Sequence, residues 1–406
     1  MTAIRQRQKQ RMLVALCCGV FGALILPAGL VVGYNSVLNS DSGINVNNVK
    51  ELKILDTPVA LLATVNSSNE ITTINVIALS GDSLGGTIIS VPAKAKAAVS
   101  EGETPRRVFD SYTSDDPSAF VADVEGLLDV SFTAVGILGR AELINLLKPV
   151  GSVEILLDSD VRNTSVDGTT TTIKKTGKSD ADTMALVNIL LAREIDQSEA
   201  ARFNHHKSVW TAVANAVGLG LNLDAEKVDV LNTPLDISGF ARRLFSGPIQ
   251  VWQFAATQVP AGINNPSGLD MFSIDSSEVT MIMASVAPTS ITGSGVSGGL
   301  TVQIDSPFND AVISREIVRR LVAMGFNIAL VREVPGPPPE VTEVRYVDST
   351  VLAKLGLGEY IGNTQAVKTG ERVQGVDLQI VLGLSFVSFS TDNPELPATT
   401  VVPSDE

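Results

Sequence analysis

His205 and His206 are the only histidines in the 406-residue chain, and Cys17 and Cys18 the only cysteines, so imidazole, thiol and soft-metal chemistry has few residues to draw on. The histidine pair lies in an amphipathic helical pattern, where packing plus surface exposure outweighs a ligand role. The cysteines fall inside a hydrophobic run, which leaves the rest of the chain without a disulfide or a thiolate. Asp82 and the Asp115-Asp116 pair offer carboxylates to a hard cation, but both lie in turn-like contexts where aspartate is common anyway. Residues 81–86, GDSLGG, are glycine-rich yet lack the Lys-Ser/Thr ending of a phosphate-binding P-loop, and read as a turn. No Ser-His-Asp set and no nucleophile elbow occurs. Arg106-Arg107 follows a Gly-Glu-Thr-Pro loop and reads as a solvated surface pair, and Arg315, Arg319 and Arg320 read as a solvated basic face of one helix.

Hydrophobic residues make up 44% of the chain and aromatic ones only 5%, so the cores must be aliphatic. The length admits two or three domains. A formal net charge of −14 repels a phosphate backbone and excludes nucleic acid as a partner. Residues 12–34 carry no charged side chain and are long enough to cross ~30 Å of hydrocarbon as a helix. Arg5, Arg7, Lys9 and Arg11 precede that run, and the next basic residue is Lys50. This asymmetry keeps residues 1–11 in the cytoplasm and sends the bulk across the cell membrane as a single-pass, extracytoplasmic protein. The competing reading is a cleaved signal peptide, which has the same basic-then-apolar order.

Beyond a polar tether at residues 35–50, strand and helix signals alternate through a segment spanning 51–289. Strands are expected at 59–65, 72–79, 87–91, 131–135 and 153–157, and helices at 118–128, 140–147, 180–193 and 197–217. The alternation predicts an α/β layer structure. Residues 163–178, rich in Thr, Gly and Lys, read as an exposed hairpin or loop. A Gly/Ser linker at 290–299 marks the main boundary. After it, 300–387 reads as strand, helix capped by Asn309 or Asp310 and ended by Gly325, strand, Pro-rich turn, strand at 342–347, helix at 349–355 and strand at 376–382. That is a small βαβ-βαβ unit. Residues 388–406 read as a disordered acidic tail.

Three segments carry a resemblance in the larger unit: IISVPAKA (88–95), FVADVEGLLDVSFTAVGILGRAELINLLKPVGSVEI (120–155) and LLAREIDQSEAARFNHHKSV (190–209). In the smaller unit VQIDSPFNDAVISREIVRRLVAMGFNIALV (302–331), TEVRYVDSTVLAKLG (342–356) and GVDLQIVLG (375–383) carry it. In order and spacing they resemble the LytR-CpsA-Psr family of cell-envelope proteins, with its LytR C-terminal domain. The resemblance implies a membrane anchor, a central sheet flanked by helices, and attachment of a polyprenyl-diphosphate-linked glycopolymer to peptidoglycan. Such chemistry needs several arginines around the diphosphate and a divalent metal held by aspartates. Arginine suits the task because its planar fork bonds phosphate oxygens in pairs and stays charged.

The chain departs from that pattern where charge matters. The family's strand ends in Ile-Pro-Arg-Asp; here Val91-Pro92 keeps the turn, and Ala93 and Lys94 follow. An Arg-x-x-Asp-Ser-type motif falls near residues 70–74, where neither its Arg nor its Asp is present. Arg193 and Arg202 match family arginines, while His205-His206 replaces an Arg-Gln pair. Losing one preorganised donor to a developing charge costs about 3–4 kcal/mol, so losing several at once predicts a non-catalytic relative that binds a polyprenyl or glycan ligand, or an envelope partner. The candidate ligand-binding residues are Arg106, Arg107, Arg193 and Arg202, with Lys94, Arg193 and Arg202 as the weak catalytic set; no metal ligand and no cofactor is expected. Arg193 and Arg202 read equally well as exposed helix arginines paired with Glu194 or Glu199. The alternative is an active phosphotransferase in which these cations converge at an apolar groove, with Mg²⁺ as cofactor.

Overall fold

The computed structural model describes residues 50–99, 104–165, 167–194, 199–223, 232–292, 299–347 and 355–396. The basic N-terminus, the expected anchor at 12–34 with both cysteines, the tether up to residue 49, most of the linker, most of the helix expected at 349–355 and the tail beyond 396 lie outside the described residues. Among the described residues no helix is long and apolar enough to cross a membrane.

A short strand β1 (Lys50–Leu52) leads to the hairpin β2 (Val59–Val65) and β3 (Ile71–Leu79), then β4 (Gly86–Val91). Helix α1 (Ser118–Leu128), β5 (Ala134–Leu138), α2 (Arg140–Leu147) and β6 (Val153–Leu157) follow. Next come a hairpin of β7 (Val161–Thr164) and β8 (Thr170–Lys174), then β9 (Gly177–Ala181), α3 (Thr183–Leu191), α4 (Glu199–Val217) and α5 (Ile237–Phe245). Strands β10 (Ile249–Gln253), β11 (Ala256–Gln258) and β12 (Phe272–Ile274) and helix α6 (Ser276–Val286) close the first part. Its main sheet runs β10-β4-β3-β2-β5, with β2 parallel to β5, β4 parallel to β10, and the β2-β3-β4 meander antiparallel.

The strands of the meander are continuous aliphatic runs because both faces of the sheet are covered. Leu61, Val76 and Ile89 face α1 and α6, whereas Leu62, Ile77 and Ile88 face α3, α4 and α5. The polar residues admitted to this interior satisfy one another: Thr64 bonds Thr72 and Thr73 at 2.7 Å each, and Ser90 donates to Asn75 at 2.9 Å. Burying each large aliphatic side chain contributes about 1.5–3 kcal/mol, which outweighs the weak β-propensity of Ala and Asn in these strands. The turn at 81–86 is backbone packed on backbone. The Gly85 and Gly86 amides donate to the carbonyls of Arg243 and Pro248, and a Cβ on Gly247 would meet the Leu84 carbonyl at 2.2 Å.

The second part runs β13 (Thr301–Ser306), α7 (Ala311–Ala323), β14 (Asn327–Glu333), β15 (Thr342–Tyr346), α8 (Leu357–Ile361), β16 (Thr364–Lys368), β17 (Glu371–Val373), β18 (Leu378–Val381) and α9 (Leu384–Asp392); its sheet has the order β14-β13-β18-β15-β16, and β17 pairs with β1 outside it. Asp310 caps α7, accepting the Val312 amide at 2.8 Å, and Gly325 ends it with φ +82°. Three expectations need correction. The strand expected at 376–382 does not close the second βαβ: β18 runs antiparallel to β15, and the parallel partner of β15 is β16, a short and largely exposed strand with little apolar signal. Residues 388–392 are not tail, since α9 runs to Asp392 and holds Phe389 against Gly362. The strand expected at 131–135 begins at Ala134, because the Ser131 amide is taken by the Ser290 carbonyl and Val130 bridges Ile291.

Candidate functional site

The carboxyl ends of β2, β4, β5 and β10 all reach one end of the first sheet, where Thr64 pairs Leu138, Ser90 pairs Gln253 and Val91 pairs Ile74. Open α/β sheets bind ligands at such an end. One cleft lies there and a second begins there, running along α2 and α5 toward the opposite end of the sheet. A polar one of about 860 Å³ is lined by the hairpin turn at 66–70, Arg140, Asn163, Asn188 and Arg193. A more apolar one of about 600 Å³ lies between α2 and α5, with Leu138, Leu146, Ile237 and Phe245 among its walls. They adjoin at the start of α2, where Leu138 lines the apolar cleft and Gly139 and Arg140 line the polar one.

Arg193 follows the end of α3, and its amide donates to Asn163 Oδ1 at 3.0 Å. Its guanidinium pairs with Glu70, which also accepts from Asn66 Nδ2 at 3.0 Å. Burial alone would raise the Glu70 carboxyl, but hydrogen bonds from Asn66 and Arg193 and the charges of Arg193 and Arg202 outweigh it and hold Glu70 below its ordinary value. A glutamate thus stands where the family resemblance places an arginine.

Arg202, on the first turn of α4, is buried, not exposed, because this helix face packs against the sheet. It donates to Glu199 at 2.7 Å, and Glu199, itself 3% exposed, also accepts the Ala93 amide at 3.0 Å. One internal carboxylate therefore collects the backbone donor at the end of the Val91-Pro92 turn and a guanidinium donor. Arg202 Nε and His206 Nε2 are buried beside this pair without partners. Burial first, then the charges of Arg202 and His205, pushes His206 well below the ordinary histidine value, so it is neutral. His205 meets Ser159 at 2.9 Å, and burial lowers it as well. Glu194, offered by the sequence as a partner for Arg193, pairs instead with Arg162.

The other expected cations lie elsewhere. Lys94 pairs with Asp270 in the loop before β12. Arg106 forks onto Asp123 of α1 at 3.0 and 2.6 Å, and Arg107 forks onto Asp110 at 2.9 and 2.8 Å while lying 4.5 Å from the centre of the Phe109 ring. Arg106 and Arg107 are therefore not simply solvated. Of the five cations, only Arg193 and Arg202 act on a common group, Glu70. Among the described residues no three His, Cys, Asp or Glu side chains come together to hold a metal. Where the resemblance implies an aspartate ligand, Lys94 brings an ammonium, held by Asp270. Sequence reading missed Glu70 as a participant; its sign, opposite to the arginine expected there, was the available signal.

The fold over 56% of this chain is similar to that of TagV of B. subtilis (13% identical, 94% of that chain, TM-score 0.41). TagT of B. subtilis is 14% identical, with 56% of this chain and 88% of that chain covered at a TM-score of 0.39. The LytR-Csp2A-Psr enzyme from Actinomyces oris is 13% identical, with 56% and 92% covered at a TM-score of 0.39. TagT, a LytR-CPS2A-psr family protein, is also solved with bound octaprenyl pyrophosphate lipid. The chain resembles LytR-CpsA-Psr proteins at this level. No family model and no curated protein matches it in sequence.

Proposed function

We propose that this is a membrane-anchored, extracytoplasmic cell-envelope protein of LytR-CpsA-Psr type that binds a polyprenyl-linked glycan without turning it over. The observation that carries this reading is the charge pairing: Lys94, Arg106, Arg107, Arg193 and Arg202 each already hold a carboxylate of the chain itself. A diphosphate that engages Arg193 or Arg202 has to displace Glu70 or Glu199 first, and the remaining cation of the polar cleft, Arg140, is an exposed side chain bonded to Asn188, a single charge where a departing diphosphate needs several. The adjoining apolar and polar clefts offer separate surfaces to a prenyl chain and a sugar head.

The active alternative draws on one feature, the convergence of Arg193 and Arg202 on Glu70. The two readings separate in one assay. The full chain, in detergent with labelled polyprenyl diphosphate and Mg²⁺, is expected to retain the lipid and release no phosphate over hours. Steady hydrolysis or transfer to peptidoglycan, lost on Arg193→Ala, overturns the proposal.

A further inference from the structure

A third cleft, of about 200 Å³, lies away from the sheet end described above, between β10, α6 and the start of α7. Its apolar lining is Trp252 and Phe308, both partly buried, with Met281 and Ile282 buried beneath. Trp252 is the fourth residue of β10, on the same face as Gln250, and its indole N–H is buried with no hydrogen-bond partner. A buried donor without an acceptor costs about 1–3 kcal/mol, and this one is closed off from the cleft, so what Trp252 offers there is its ring. The exposed side-chain amides of Gln250 and Asn309 also line the cleft and have no protein partner among the described residues.

The charges present decide the class of ligand. The cation lining the cleft, Arg332, forks onto Asp305 at 2.7 and 2.8 Å, where Gln303 and Gln379 also donate. Asp310 already serves as the cap of α7. Glu333 adds an exposed negative charge, which repels anions. What remains is an aromatic face, two amides and the hydroxyls of Thr87 and Ser314, polar groups that both donate and accept. An uncharged ring with one apolar face and several hydroxyl or N-acetyl groups matches that set.

We propose that this cleft is a neutral-sugar site, with Trp252 as the stacking platform and Gln250 and Asn309 as the groups that read the ring's polar edge. The inference rests on these residues and not on the function proposed for the sheet end. The probe is chitotetraose, titrated into the full chain while tryptophan emission is followed, with inorganic pyrophosphate as competitor. A saturable emission change is expected in the wild type and absent in Trp252→Phe, with Gln250→Ala and Asn309→Ala each weakening binding about three- to tenfold, the span of one hydrogen bond. Pyrophosphate is expected not to compete, and Glu199→Gln to leave the titration unchanged, so failure here and failure at the sheet end are read separately. No emission change at millimolar sugar, a change that survives Trp252→Phe, unaltered affinity in both amide variants, or displacement by pyrophosphate overturns the proposal.

Discussion

At the scale of single residues, the sheet end is governed by what its buried nitrogens are bonded to. Glu199 accepts from the Ala93 amide and from one Arg202 nitrogen, while Arg202 Nε and, one turn further along α4, His206 Nε2 are buried without a hydrogen-bond partner. A wholly buried imidazole next to a guanidinium cannot take a proton cheaply, so its folded value lies well below the 6.5 of the free side chain. The sign follows directly. Below pH 6.5 the unfolded chain binds a proton that the folded chain refuses, so stability is full above that pH and is lost as pH falls toward the folded value. The slope contributed by one such proton is up to about 1.4 kcal/mol per pH unit. Urea midpoints of the full chain between pH 7 and 5 are therefore expected to fall steeply, and His206→Leu to flatten much of that fall while holding stability at pH 7. An unchanged slope in the variant would show that the acid sensitivity resides elsewhere.

At the scale of elements, the sequence reveals those whose apolar pattern is strong. Helices Ser118–Leu128 and Arg140–Leu147 and strands Val59–Val65 and Val153–Leu157 coincide with expectation to the residue, since each has a clear period and a turn at both ends. β16 and β17 escaped because exposed three- and five-residue strands have no face to mark in the sequence. Helix α5 was missed although Asp236 caps it, because it is only nine residues long and Gly239, Arg242 and Arg243 interrupt its apolar run. Arg320 illustrates a limit of helix-face reading. It was expected to be solvated with Arg315 and Arg319, yet it is 0% exposed, because α9 folds back over it. It donates to Glu316 at 2.6 Å and to the carbonyls of Tyr360 and Asn393, and so ties α7 to α8 and to the end of α9. No local pattern encodes a partner 73 residues away. Arg320→Met leaves that carboxylate and two carbonyls short of donors, and is expected to cost about 3–5 kcal/mol. Arg319→Met, which removes a more exposed pair, is expected to cost under about 1 kcal/mol. Chemical denaturation of the two variants checks the contrast, and equal effects would deny Arg320 its tying role.

At the scale of the whole molecule, the expected boundary at 290–299 separates two sheets but not two cores. Val279, Met281 and Ile282 of α6 belong to one buried cluster with Ile89 of the first sheet and with Ile304, Ile317 and Leu321 of the second unit. The chain also closes from its other end, since β1 pairs in parallel with β17, with Lys50 bonded to Glu371 and Glu51 to Arg372. The sequence pointed to a linker because composition reports local backbone freedom, whereas the sharing of a core depends on which faces meet. The size of the shared surface decides its consequence. Each large apolar side chain uncovered by separating the units costs about 1.5–3 kcal/mol, and α6 alone contributes three against a total stability of about 5–15 kcal/mol for a domain. Residues 50–292 by themselves are therefore expected to show no cooperative unfolding transition in calorimetry, and residues 50–396 a single one. A cooperative transition in the shorter piece within a few degrees of the longer would show that the α6 contact is a docking surface between independent domains and not a common core.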